Sequence, residues 1–290
     1  MSEIRYETPK TTEAAVVLLM AASGPAKILS GGTDLLIQMR SGAQQPGLLV
    51  DVKHIAEMTS ITLENDSYRI GAAVPCMKLV EDKGFAKTWP GVIDGVNLIG
   101  SIQVRGRATV GGNLCNAGPA ADSVPAMIAA GAIATIAGPA GRREVPVEQI
   151  ATGPGKTSLA KGELVVSFTF PKRAVRSGDA YLRFTPRTEM DIAVVGVGIN
   201  LTVDDQGVCT HARVCLGDVA ERALLVQQAA DALIGTTLDA KAMEKLAAAA
   251  SAAARPIDDK RGTKEFRIKV SGVLARRAAQ IALDRAMGKN

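Results

Sequence analysis

Residues 26–34 read AKILSGGTD, and residues 103–122 read QVRGRATVGGNLCNAGPAAD. In the first stretch a short strand-like run, AKIL, enters Gly31-Gly32, and a helical pattern, DLLIQMRSG, begins at Asp34. A double glycine between strand and helix leaves backbone N–H groups free at the positive helix end, where an anion is attracted. The second stretch repeats the chemistry: a β-like run, RATV, then Gly111-Gly112, then Asn113. Two such loops suit a pyrophosphate gripped from both sides, with glycine required because a Cβ holds the phosphates away. Taken singly, each pair also reads as an ordinary tight turn.

Working outward, Thr11 and Thr12 precede Glu13 and the apolar run AAVVLLMAA, which predicts a capped helix ending before Ser23-Gly24-Pro25. With AKIL and a second strand, LLVDV at 48–52, this forms a β-turn-α-β unit with parallel strands. Two strands are expected over 61–74 and helices around 78–82, 92–99 and 123–130. Further strands fall at 132–137 and 163–170, with GPAGRR as a turn between them. The charged stretch PKRAVRSG at 171–178 lacks periodicity and marks a boundary. Beyond it, 192–203 and 208–216 flank DDQG as an antiparallel hairpin. Helices at about 224–234, 240–254 and 264–287 close an α+β unit.

The chain has 290 residues, 47% hydrophobic and 22% charged, which predicts two or three compact units and excludes a disordered protein. Aromatics make up only 3%, too few for the stacking platform of many single-strand nucleic-acid binders. The net charge of +5 is dispersed except over 260–277, which reads as a solvated or subunit-facing helix. The N-terminus lacks a basic segment leading into an apolar core, and the longest apolar runs are too short to cross a bilayer, so a cytoplasmic chain without a membrane span is expected. Cys76, Cys115, Cys209 and Cys215 are scattered, which argues for buried thiols and against an iron–sulfur cluster or other metal carried here. Gly155-Lys156-Thr157 resembles the tail of a P-loop, but Ile150 stands where that loop needs glycine. Gly196-Val197-Gly198 lacks a third glycine and reads as a packing feature inside a strand.

KILSGGTDLLIQMR together with QVRGRATVGGNLCNAGPAADSVPA resembles the two FAD-binding segments of the flavoprotein subunit of molybdenum hydroxylases, the carbon monoxide dehydrogenase and xanthine dehydrogenase family. The resemblance continues through YLRFTPRTEMDIAVVGVGI to DDKRGTKEFRIKV. It implies an α+β fold: a PCMH-type FAD-binding domain over 1–175, made of two α/β subdomains (about 1–55 and 56–175), then a C-terminal flavoprotein domain over 179–288. Carried onto this sequence, the first FAD loop is Lys27, Ile28, Leu29, Ser30, Gly31, Gly32, Thr33 and Asp34. The second is Thr109, Val110, Gly111, Gly112 and Asn113. Asp122 matches a polar FAD contact, Val165 an apolar one, and Ile99 a position covering the flavin. Arg183 stands where many members have Lys, keeping the charge while changing its geometry.

The resemblance implies no acid/base catalyst in this chain. Asp34, Asp122 and Asp191 are then binders or anchors, with a hairpin-start hydrogen bond favoured for Asp191. FAD is expected non-covalently. A large subunit is expected to carry the molybdenum cofactor and a small one two [2Fe-2S] clusters, in a dimer of heterotrimers. A self-contained FAD-dependent oxidase or reductase is the alternative, against which stands the small, Ala-rich final third. The Cys-rich insertion by which some aryl-CoA reductases of the family carry an extra cluster is missing here, and GGTD and GGN in place of the GGHS and GGD of carbon monoxide dehydrogenase members favour an organic substrate over carbon monoxide.

Overall fold

A computed structural model describes residues 4–289, and it arranges them around three main sheets and one small hairpin. The first sheet is parallel, in the order Arg5–Glu7, Leu48–Asp51, Ala26–Leu29. Helix Thr12–Ala21 connects the edge strands, and the Thr11 hydroxyl accepts from the Ala14 N–H at its start. Val50 and Val52 are fully buried beneath it with Ala15. The strand Arg5–Glu7 lies outside the sequence expectation because three residues carry no period.

The second sheet is antiparallel, in the order Ile61–Glu64, Ser67–Gly71, Leu164–Phe170, Ile133–Gly138, Gly141–Pro146. GPAGRR is indeed a turn, although its second half already belongs to the edge strand Gly141–Pro146. Leu164–Phe170 is central and nearly all buried, with Leu164, Val166, Phe168 and Phe170 fully so. Phe170 packs edge-on against Phe85 with ring centroids 5.0 Å apart, and Trp89 lies 6.0 Å from it. These rings anchor helices Lys83–Thr88 and Pro90–Asn97, the second of which leads directly to Ile99.

The third sheet is antiparallel, in the order Ser177–Phe184, Val195–Val203, Cys209–Gly217, Leu224–Leu225. Helix Lys264–Ala286 covers it with Leu274, Ala275, Ala278, Ala279 and Ala282, all buried. Small side chains let this long helix lie close to the strands. One helix over 224–234 does not form: Leu224–Leu225 pairs with Cys215 and Leu216, and helix Gln227–Asp231 begins only after it. Edge pairing of two apolar residues overrides their helical spacing there.

Ion pairs tie the third sheet to the preceding helices. Arg173 donates to Asp179 at 2.7 Å and stacks its guanidinium 4.6 Å over the Trp89 ring. Asp179 also accepts from the Val92 N–H, while Arg285 forks onto Asp94 at 2.7 and 3.2 Å. The strand carrying Arg183 is thereby fixed against the helix that ends beside Ile99.

Candidate functional site

Strand Ala26–Leu29 delivers the chain to Ser30, and helix Leu35–Arg40 departs a few residues later. Gly32 sits between them at φ +79°, a conformation that side chains disfavour. The N–H groups of residues 31–35 donate to no protein acceptor among the described residues. Asp34 precedes the helix but makes no capping bond, and burial lifts its carboxyl above the ordinary range.

The second loop corrects the β-like reading of RATV. Ile102–Arg105 is a helical turn, Thr109 makes one isolated bridge to Pro75, and Gly111-Gly112 lies inside the first turn of helix Val110–Cys115. The Thr109 hydroxyl accepts from the Gly112 N–H at 2.9 Å, so a capping residue replaces the expected strand. The N–H groups of Val110 and Gly111 remain without a protein acceptor among the described residues.

The two loops are bolted together. The Ser30 and Thr109 hydroxyls share a hydrogen bond of 3.1 Å, and the Gln38 amide donates to Asn116 at 2.9 Å. Two of the four glycines, both on the cavity wall, also let backbone approach backbone. A Cβ on Gly31 meets the Arg107 carbonyl oxygen at 2.1 Å, and one on Gly111 meets the Ala72 oxygen at 2.4 Å. At Gly112 the nearest neighbour is only the Thr109 hydroxyl, at 3.0 Å.

Between the loops lies a cavity of about 470 Å³, within the range of cofactor pockets. Of the sequence-predicted residues, Lys27, Ile28, Ser30, Gly31, Gly32, Thr33 and Asp34 line it from the first loop, and Thr109, Gly111, Gly112 and Asn113 from the second. Ile99 and Val165 line it as well, whereas Leu29 and Val110 do not. Asp122 and Arg183 do not line this cavity. They form a buried ion pair of 2.6 Å, and Tyr181 donates to the other Asp122 oxygen at 2.9 Å. Burial outweighs both partners and lifts the Asp122 carboxyl to about 6. The neighbouring Ser123 hydroxyl donates to Asn113 at 2.7 Å, which joins this pair to the cavity wall.

Sequence reasoning missed the segment that closes the cavity from the far side of the chain: Gly155, Thr157 and Leu159 to Glu163 all line it. Gly155, considered above only as a failed P-loop, turns the small hairpin Ala151–Gly153 and Lys156–Thr157. Cys115 also lines the cavity, with its thiol pushed by burial to about 12. The other three cysteines are buried, as expected. Asp191 accepts from the Arg187 and Ile192 N–H groups just ahead of strand Val195–Val203. No cluster of three or more metal-ligating side chains occurs among the described residues, and no helix there is long and apolar enough to cross a membrane.

Two coupled loops with free N–H groups on one cavity define a protein suited to a phosphate-bearing ligand. The family model described as the FAD binding domain in molybdopterin dehydrogenase matches residues 2–173, and that of the CO dehydrogenase flavoprotein C-terminal domain matches residues 180–282. The chain therefore belongs to the family of FAD-binding medium subunits of the xanthine dehydrogenase and carbon monoxide dehydrogenase type. It is 32% identical over 280 residues to the xanthine dehydrogenase FAD-binding subunit of Escherichia coli, covering 96% of each chain. It is 33% identical over 281 residues to the carbon monoxide dehydrogenase medium chain of Afipia carboxidovorans, covering 97% of each. Among solved structures it is similar to Cu,Mo-CO dehydrogenase, with a TM-score of 0.93 at 32% identity over 97% of this chain and 98% of that one. Quinoline 2-oxidoreductase from Pseudomonas putida gives a TM-score of 0.89 at 28% identity, covering 98% of both.

Proposed function

We propose that this chain holds one FAD non-covalently across its two glycine loops and passes on electrons received from an iron–sulfur partner. The observation that carries the reading is the coupling of the loops: Ser30–Thr109 and Gln38–Asn116 hold two sets of free N–H groups on one cavity. The cavity fits the cofactor's diphosphate, because N–H donors without protein acceptors are what an anion satisfies and Gly32 and Gly112 carry no side chain to keep it out. Lys27 and Lys161, also on the cavity wall, supply compensating charge.

Bound FAD supplies the redox chemistry, and the protein contributes position, access and electrostatics. Ile99, on the cavity wall, would cover the flavin ring, while the buried Asp122–Arg183 pair would act only from behind the wall, through Ser123 and Asn113. The apolar side chains Leu159 and Val165, also on the wall, would then take the adenosine end. No proton-transfer pair is assigned, since each carboxylate named above is tied to a structural partner or stands alone.

The electron source is a small subunit with two [2Fe-2S] clusters, fed by a large subunit bearing the molybdenum cofactor, in a dimer of heterotrimers. That its relatives are medium chains and FAD-binding subunits of dehydrogenases supports this division of labour. Expressed alone, the chain is expected to bind FAD yet oxidise no heterocycle, aldehyde or carbon monoxide with a dye as acceptor. Activity should appear on adding both partner subunits. Substrate oxidation by the isolated chain would overturn the reading in favour of a self-contained flavoenzyme.

A further inference from the structure

The segment Leu159–Glu163 carries no regular secondary structure, yet it forms a continuous part of the cavity wall. Its shape is fixed by a closed set of bonds. The Glu163 N–H donates to the Ala160 carbonyl at 3.0 Å, and the Ala160 N–H donates back to the Glu163 carboxylate at 2.8 Å. From the edge strand Gly141–Pro146, Arg143 forks onto the same carboxylate with two bonds of 2.8 Å. A planar guanidinium binding both oxygens fixes direction as well as distance. The Glu163 stem crosses strand Ile133–Gly138 where Gly138 leaves room, since a Cβ there meets the Glu163 Cγ at 2.8 Å. Gly162, at φ +82°, completes the turn.

Neither Arg143 nor Glu163 belongs to the glycine loops, and Arg143 does not line the cavity. Their bonds hold the backbone that does. We propose that Arg143 and Glu163 are positioning residues for the cofactor, a clamp that sets the turn 160–163 against the adenosine half of FAD. The inference rests on the assignment of Leu159 and Val165 to that half. Exposed ion pairs ordinarily contribute little, but the Glu163 side chain is only 14% exposed and also holds a backbone N–H that has no other acceptor among the described residues. Losing the clamp frees the turn, and a wall that must be reordered on binding weakens affinity.

The test compares the full-length wild-type chain with Glu163→Gln, Arg143→Met and Arg143→Lys. Each is stripped of flavin and titrated with FAD, and the visible flavin spectrum and the thermal midpoint of the flavin-free chain are recorded. The expected result is FAD affinity lowered at least 10-fold by Glu163→Gln and Arg143→Met, and less by Arg143→Lys, which keeps the charge. The flavin absorption bands of the saturated variants should match wild type, because the ring lies at the other end. Unchanged affinity in both strong variants would overturn the clamp, as would lost affinity accompanied by altered flavin bands, which would place the effect on the whole cavity. Should Glu163→Gln fail to fold, Arg143→Met still decides, since it leaves the Ala160 bond to Glu163 in place. A wild-type chain that takes up no FAD would instead refute the cofactor assignment itself.

Discussion

Replacing Gly31 with alanine tests whether the two loops act as one unit. The added Cβ lies 2.1 Å from the Arg107 oxygen, 2.8 Å from its carbonyl carbon and 2.9 Å from the Ala108 Cα. All three atoms are backbone, so no side chain can rotate away. Ordinary contact requires the two segments to separate by more than 1 Å at that point, which breaks the 3.1 Å bond between Ser30 and Thr109. Overpacking of this kind costs roughly 1–3 kcal/mol. The lost hydroxyl bond adds about 1 kcal/mol, giving about 2–4 kcal/mol in all. Urea unfolding of the flavin-free chain measures that loss, and FAD titration should show an accompanying fall in affinity. Gly47→Ala serves as the control, since its Cβ meets nothing within 4 Å and it lies outside the cavity. A Gly31→Ala chain within 0.5 kcal/mol of wild type (order of magnitude of a neutral surface change) and with unaltered FAD affinity would refute the reasoning.

Thr109→Ala removes both the cap on Gly112 and the bridge to Ser30, so a stability loss of about 1–2 kcal/mol in urea unfolding is expected, with weakened FAD binding. Folded Asp122 keeps its proton up to about pH 6, whereas its unfolded carboxyl releases it near 3.8. The folded chain therefore binds more protons between these values, and stability falls as pH rises through that window and then levels off, by up to about 3 kcal/mol. Asp122→Asn should flatten that part of the profile in the flavin-free chain; parallel profiles for wild type and variant would contradict it. Acid precipitation should release all the yellow chromophore, because the one cysteine on the cavity wall holds its thiol proton to about 12 and neither histidine lines the cavity. Flavin fluorescence remaining with the denatured chain on a gel would contradict that expectation.

Much of this architecture was legible because its signals are local. The run AKIL, the turn SGGTD and the run LLVDV carry strand, glycine and helix punctuation within 27 residues, and they fold as the parallel unit expected. The hairpin around DDQG was likewise readable from its turn residues. RATV misled because Thr and Val favour strands, while the deciding fact, a Thr109 hydroxyl over the Gly112 N–H, is a capping bond that the same letters encode equally well. The roles of Gly31 and Gly111 were invisible for another reason. Their neighbours, Arg107 and Ala72, are distant in sequence, so only the fold shows that backbone fills the space a side chain would need. The Asp122–Arg183 pair spans 61 residues, and the wall at 159–163 follows no period at all.

The central claim is that FAD occupies the cavity between the two glycine loops, and titration of the flavin-free chain with FAD tests it most directly. Wild type should bind one equivalent per chain, and Gly112→Val, whose Cβ starts 3.0 Å from the capping hydroxyl on the cavity wall, should lose at least a few kcal/mol of that affinity (order of magnitude for a displaced, hydrogen-bonded anion). Equal FAD binding by wild type and Gly112→Val, or no saturable binding by wild type, would contradict it.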